Sequence, residues 1–160
     1  MKAYFANALF SQADFDFNAK LAAQIRQALP ELQLYVPQEN AAINDKNAYA
    51  DAKMIAQADT DYVLAADFMV AILDGPTIDV GVASEIGVAY ARHIPIFALY
   101  TDSRQQGATN AKKLDALQVV GENQFHYLNL YTVGLIKLNG EIFANSDALV
   151  TALTNFVNQA

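Results

Sequence analysis

Apolar and polar positions along the chain switch between a period of two and a period near 3.6, and the switch points divide it into short elements. Lys2 to Asn7 reads as a buried strand. Ser11 to Leu29 places Phe15, Leu21, Ala22, Ile25 and Leu29 near helical spacing, and Pro30 closes that helix. Leu32 to Val36 is a second strand, ended by Pro37, and Asn47 to Ala65 is helical in two pieces. Phe68 to Leu73 is apolar throughout, as in a strand of a parallel sheet covered on both faces. Asp74-Gly75-Pro76 follows as a turn signature. Gly81 to Arg92 carries small and apolar residues at helical spacing, and Arg92 with His93 at its end complements the negative pole of the helix dipole. Pro95 to Tyr100 is the next buried strand. Beyond it come a polar loop (Thr101 to Thr109), a short helix (Asn110 to Leu117), a helix (Leu130 to Leu138), a tight turn at Asn139-Gly140 and a final helix (Asp147 to Asn158).

Strands alternating with helices predict an α/β fold. The expectation is a single-domain three-layer sandwich over residues 1–160, with a mainly parallel, flavodoxin/Rossmann-like five-stranded sheet. No linker, repeat or low-complexity stretch interrupts the pattern. In such folds ligands sit outside the carboxyl ends of the strands, which selects the loops after Asn7, Val36, Leu73 and Tyr100.

Composition narrows the chemistry. The 160 residues are 54% hydrophobic and 17% charged, enough apolar material for a full core and too little charge for disorder. A net charge of −7 leaves no cationic surface for nucleic acid or anionic membrane. Cysteine is absent, which removes disulfides and thiolate chemistry, and two histidines, His93 and His126, are too few for an ordinary zinc site. His93 reads first as a helix C-terminal residue and His126 similarly. No secretory signal is visible and the longest apolar run is far too short to span a bilayer, so a soluble cytoplasmic protein is expected.

The densest chemistry follows the third strand, where Asp74, Asp79 and Glu85 stand close in sequence. Glu85 falls in or just after the first turn of its helix, where free amides and the dipole should stabilise an anion and keep its pKa low. Asp79, if it points into the same cleft, would separate the two pKa values and leave one group ionised and one protonatable. The plainer alternative is that Asp79 caps the helix and Glu85 is a solvated first-turn acid. Tyr4, Phe5 and Phe10 could line an aromatic slot or belong to the core, and Asn129 reads as an N-cap. No phosphate-cradling glycine loop and no G-x-S-x-G elbow is present.

Several stretches together resemble the nucleoside 2-deoxyribosyltransferase family. They are Asp59 with the strand Phe68 to Leu73 and the run D-V-G-V-A-S-E-I-G at 79 to 87, Tyr4-Phe5-Ala6 with Phe10, Tyr35 to Asn40, and Leu128-Asn129-Leu130. The resemblance implies exchange of the base of 2′-deoxyribonucleosides, with a nucleoside donor and a free nucleobase acceptor, by a retaining double displacement. Glu85 would be the nucleophile that forms a covalent deoxyribosyl intermediate, and Tyr4 would orient it. Asp59 and Asp79 would contact and protonate the base, Phe10 would wall its pocket, and Gln38 would help hold the nucleoside. Asn129 would reach a neighbouring subunit's site, making the protein a homo-oligomer, commonly a hexamer built from dimers in this family. Neither metal nor organic cofactor is implied.

The chain departs from the pattern at Ala6 and Ala8, where some members carry glycine, and at Leu9, where some carry tryptophan. It also continues through Ile142, Phe143 and a last helix, so no C-terminal ligand is assigned. Two other functions compete. One is an N-glycosidase acting on 2′-deoxynucleoside 5′-monophosphates, for which Ser11 is the only hydroxyl residue near the first loop. The other is a non-catalytic flavodoxin-like ligand-binding module. A receiver domain would need an acidic pair where this chain has Asn7-Ala8-Leu9.

Overall fold

The computed structural model describes residues 1–44, 49–106, 109–122 and 127–160. Five short strands, β1 (Lys2–Ala6), β2 (Gln33–Tyr35), β3 (Phe68–Ile72), β4 (Ile96–Leu99) and β5 (Gly140–Phe143), make one sheet. Its order is β2-β1-β3-β4-β5 and every pairing is parallel. The helices are α1 (Gln12–Ala28), α2 (Ala41–Asn44), α3 (Ala52–Leu64), α4 (Val80–Ala91), α5 (Ala111–Ala116), α6 (Leu130–Leu138) and α7 (Ser146–Gln159). The expected α/β sandwich is therefore present, with the sheet wholly parallel.

The two faces of the sheet follow from strand alternation. Ala3 and Phe5 of β1, Phe68, Val70 and Ile72 of β3, and Leu99 of β4 pack against Leu21, Ala22 and Ile25 of α1 and Leu149 and Leu153 of α7. Tyr4, Ala6, Met69, Ala71, Ile96 and Ala98 face the other way, onto Val63 of α3, Val82, Ile86 and Ala89 of α4, and Leu135 and Ile136 of α6. β3 is buried at every position, as its unbroken apolar run predicts. The order reverses direction between β1 and β3, which run on from the middle to opposite edges. A crevice opens there at the carboxyl ends.

The helix limits follow side-chain caps. Ser11 and Asp14 form a reciprocal capping box at the start of α1. Asp51, Asp79, Asn110, Asn129 and Asn145 cap α3, α4, α5, α6 and α7. Arg92 closes α4 and His93 follows at φ 57, turning the chain toward β4 at the end of α4 remote from its N-terminus.

Several sequence expectations change. Phe15, expected on the core stripe of α1, is 43% exposed, because the stripe that faces the sheet runs through Asn18, Leu21, Ala22 and Ile25. Asn139-Gly140 is the entry to an edge strand, with β5 beginning at Gly140. A Cβ there would lie 1.8 Å from the Ile96 carbonyl oxygen, a close approach to β4 that only glycine permits. The Asn47 start of the two-piece helix, residues 107–108 of the polar loop and His126 lie outside the described residues. No helix among the described residues is long and apolar enough to cross a membrane.

Candidate active site

Three chain segments converge at the carboxyl end of β1. β1 turns the Tyr4 ring to the α3–α4 face, where it is fully buried. The loop after β3 is tied down by Asp74, whose carboxylate accepts from the Thr101 amide at 2.6 Å and the Thr101 hydroxyl at 2.5 Å. Asp74 is thereby spent on joining the ends of β3 and β4. Asp79 then caps α4, accepting from the amides of Gly81 at 2.9 Å and Val82 at 3.1 Å.

Glu85 lies on the second turn of α4, between the buried Val82 and Ile86, and this side of the helix faces β1. The Tyr4 hydroxyl donates to Glu85 Oε1 at 2.7 Å. The Tyr4 ring stacks on Tyr35 of β2 with centroids 5.6 Å apart, and Tyr35 stacks on Tyr62 of α3 at 3.5 Å and 11°. Asn40 donates from Nδ2 to the Tyr35 hydroxyl at 3.0 Å. The rings form a stiff column that fixes where Tyr4 points its hydroxyl.

A cleft of about 320 Å³ opens over Glu85. Asp59 from α3, Asp79 and Glu85 line it together with Asn7, Leu9, Phe10, Pro37 and Ile55. A groove of about 240 Å³ between α3 and α4 continues from it and shares Asp59 and Glu85. Of the residues singled out in the sequence, Tyr4, Asp59, Asp79, Glu85 and Phe10 therefore come to one place. Phe10 stands 79% exposed at the rim.

Gln38 and Asn129 do not join them, nor does Asp74, which is held on Thr101. Gln38 turns its amide to α1, donating to the Phe15 carbonyl at 3.3 Å and accepting from Asn18 at 2.9 Å. Asn129 caps α6 by accepting from the amides of Tyr131 at 3.0 Å and Thr132 at 3.3 Å, among the exposed Tyr127, Leu130 and Tyr131.

The electrostatics reverse one expectation. Glu85 was expected to have a low pKa near the helix N-terminus, yet its carboxyl is pushed from 4.5 up to about 7. Burial is the main cause and outweighs the stabilising hydrogen bond from Tyr4, while the charges of Asp59 and Asp79 add to the rise. The amides that would have favoured the Glu85 anion are one turn away and already taken by Asp79. Burial also raises Asp59 above the ordinary carboxylate range. Tyr4 is held protonated by burial and by the Glu85 charge, so it remains a donor.

Asn7 and Asn18 carry no role in the sequence reading, and the signal for Asn18 was available. It is an amide placed three, four and seven residues before Leu21, Ala22 and Ile25 in the buried stripe of α1. Among the described residues no group of three His, Asp or Glu side chains is arranged to hold a metal ion.

A flavodoxin-like strand order with a small carboxylate-lined cleft at its reversal point defines an α/β protein whose cleft lies where ligands bind in such sheets. More particularly, the chain belongs to the nucleoside 2-deoxyribosyltransferase family, whose model matches residues 3–130. It is 68% identical to a conserved protein from Enterococcus faecalis V583, with TM-score 0.90 over 94% of this chain and 95% of that one. It is also similar to the 2-deoxyribosyltransferase of Leishmania mexicana, at 16% identity and TM-score 0.65 over 96% and 97% of the two chains. The 2-deoxyribosyltransferase of Bacillus psychrosaccharolyticus compares at 17% and 0.64 over 94% and 90%. At such identities these last two likenesses speak for the fold alone. No curated protein matches the chain.

Proposed function

We propose that the protein exchanges the base of 2′-deoxyribonucleosides by a double displacement with retention at C1′. The observation that carries this reading is the half-buried Glu85, held at one oxygen by the Tyr4 hydroxyl at 2.7 Å and lining one cleft with Asp59 and Asp79. In the first step the free Glu85 oxygen attacks C1′, the C1′–N bond breaks, and the departing base takes a proton from a neighbouring carboxyl. In the second step an incoming base attacks C1′, the Glu85 ester bond breaks, and the proton returns. The transition state has oxocarbenium character, so an anion beneath C1′ and a proton donor at the base are the two requirements.

Burial suits Asp59 to carry the proton, because it raises the Asp59 pKa and so favours the protonated form. Asp79, fixed by two amides, suits the accepting contact to a base N–H. Phe10 would cover the base from the rim. Gln38 acts through Asn18 on the shape of the first loop. Asn129 would serve the site of a neighbouring copy in a homo-oligomer, because its capping bonds use only Oδ1 and leave Nδ2 to reach sugar hydroxyls. Leu130 and Tyr131, 81% and 76% exposed beside it, are apolar surface suited to such a contact.

A 5′-monophosphate substrate fits less well. The Ser11 hydroxyl is engaged by the Asp14 amide, and the Asp14 carboxylate occupies the amides of Phe10 and Ser11. The described lining of the cleft offers three carboxylates and no Lys, Arg or His to a phosphate.

The test is base exchange from 2′-deoxyinosine to cytosine or adenine, followed by intact mass measurement after mixing with donor alone. The wild type should exchange and gain one deoxyribosyl group, and Glu85→Ala should do neither. Full exchange by Glu85→Ala would refute the mechanism. Release of free base without transfer to an acceptor, faster on the monophosphate, would favour the N-glycosidase reading.

A further inference from the structure

Three side-chain amides join β1, α1 and the turn at Pro37–Glu39, and two backbone carbonyls set their polarity. Asn18 Nδ2 donates to the Ala8 carbonyl at 3.0 Å and to Gln38 Oε1 at 2.9 Å. Gln38 Nε2 donates to the Phe15 carbonyl at 3.3 Å. Asn18 Oδ1 accepts from Asn7 Nδ2 at 2.6 Å. A carbonyl oxygen only accepts, so Ala8 requires the NH₂ group of Asn18 and Phe15 requires that of Gln38. Turning either amide over would set oxygen against oxygen. Asn18 is 2% exposed, which leaves little room for water to repair such a mismatch.

The consequence reaches the cleft. The oxygen of Asn18 faces Asn7, and Asn7 must give its NH₂ group to that oxygen. Its own Oδ1 is left over, with no hydrogen bond from the other described residues, and Asn7 lines the cleft beside Glu85. We infer that Asn7 presents a hydrogen-bond acceptor to the substrate and selects nucleosides that carry a donor at that point, an amine on the base or a hydroxyl on the sugar. Asn18 is the positioning residue that holds Asn7 in this orientation. This inference rests on the nucleoside reading above. It adds a specificity residue on β1's side of the cleft, opposite the carboxylates of α3 and α4.

The experiment compares matched substrates that differ by one donor. The pairs are adenine with purine, cytosine with 2-pyrimidinone, and 2′-deoxyinosine with its 3′-deoxy and 5′-deoxy analogues. Each is measured as kcat/KM for exchange and, without turnover, as Kd by calorimetry. In the wild type one pair should differ by about tenfold, because the analogue lacks the hydrogen bond to Asn7 Oδ1. Asn7→Ala should bring that ratio to within about twofold of unity and leave the other ratios unchanged.

Asn18→Leu keeps Asn7 but frees its amide to turn. It should lower the same ratio while the exchange pH profile stays in place, an outcome that a merely structural role does not give. Should Asn7→Ala fail to fold, Asn18→Leu decides. Ratios that are unaltered in the variants, or a wild type that treats every pair alike, would overturn the inference while leaving base exchange standing. A wild type that binds none of the nucleosides would overturn both readings.

Discussion

Replacing Glu85 by glutamine should make the protein more stable and less active, and the size of the effect should depend on pH. In the folded state the carboxyl titrates near 7 and in the unfolded chain near 4.5. The folded state therefore holds the proton more tightly, and wild-type stability falls as pH rises from about 4.5 through about 7. The gap corresponds to about 3 kcal/mol between the two protonation states. A neutral glutamine escapes that cost and can still accept from the Tyr4 hydroxyl. At pH 8, where Glu85 is ionised in both states, Glu85→Gln should exceed the wild type by up to about 3 kcal/mol.

At pH 5 the folded protein carries a protonated Glu85, and the advantage should shrink to about 1 kcal/mol or less. Asp59 also contributes to the pH dependence of the wild type, so the difference between the two proteins isolates Glu85. Urea unfolding at both pH values measures it. A glutamine variant no more stable than the wild type at pH 8, or an advantage of equal size at pH 5, would refute the claim that burial governs this carboxyl. Base exchange by the same variant should be abolished.

Tyr4→Phe removes the hydrogen bond that favours the Glu85 anion, so the Glu85 pKa should move above 7 and the rising limb of the exchange rate should shift to higher pH. A pH–rate profile checks this, with about a 10- to 100-fold loss of kcat near neutrality expected from the lost orientation. Gly140→Ala would drive a Cβ into the Ile96 carbonyl, and urea unfolding should show a loss of about 2 kcal/mol or more as β5 is forced from β4. Arg26→Ala should cost no more than about 1 kcal/mol, because its 2.7 Å bridge to Glu39 is solvent-exposed, and added salt should reduce the difference further.

Where a segment's environment is set by its own pattern, the sequence was enough. The apolar run from Phe68 places β3 in the middle of the sheet, because only a strand covered on both faces can be apolar at every position. The capping residues mark helix starts, since the orphan amides they satisfy lie within three residues of them. Asp79 and Glu85 were legible as a carboxylate site from their spacing, and Asp59 and Tyr4 from the family resemblance; Asp59, Asp79 and Glu85 line one cleft and the Tyr4 hydroxyl meets Glu85. β5 was misread because Asn139-Gly140 has the local chemistry of a turn, whereas the glycine is required by an approach to β4 from over forty residues away in sequence. Phe15 was misread because helical spacing defines a stripe but not which side of it meets the sheet.

The sequence by itself determined the order of the first four strands and the main helices, the acidic character of the site, and the exclusion of thiol chemistry. All three depend on residue identity and near neighbours. The tertiary structure decided how those residues behave. Glu85 sits one turn beyond helix amides that Asp79 already takes, and the packing of β1 and α3 around it supplies the burial that pushes its pKa up to about 7. Asn7, Asn18 and Gln38 are ordinary amides in the sequence. Their orientation follows from two carbonyls brought into reach by the fold, because hydrogen-bond polarity is a property of partners that meet in space.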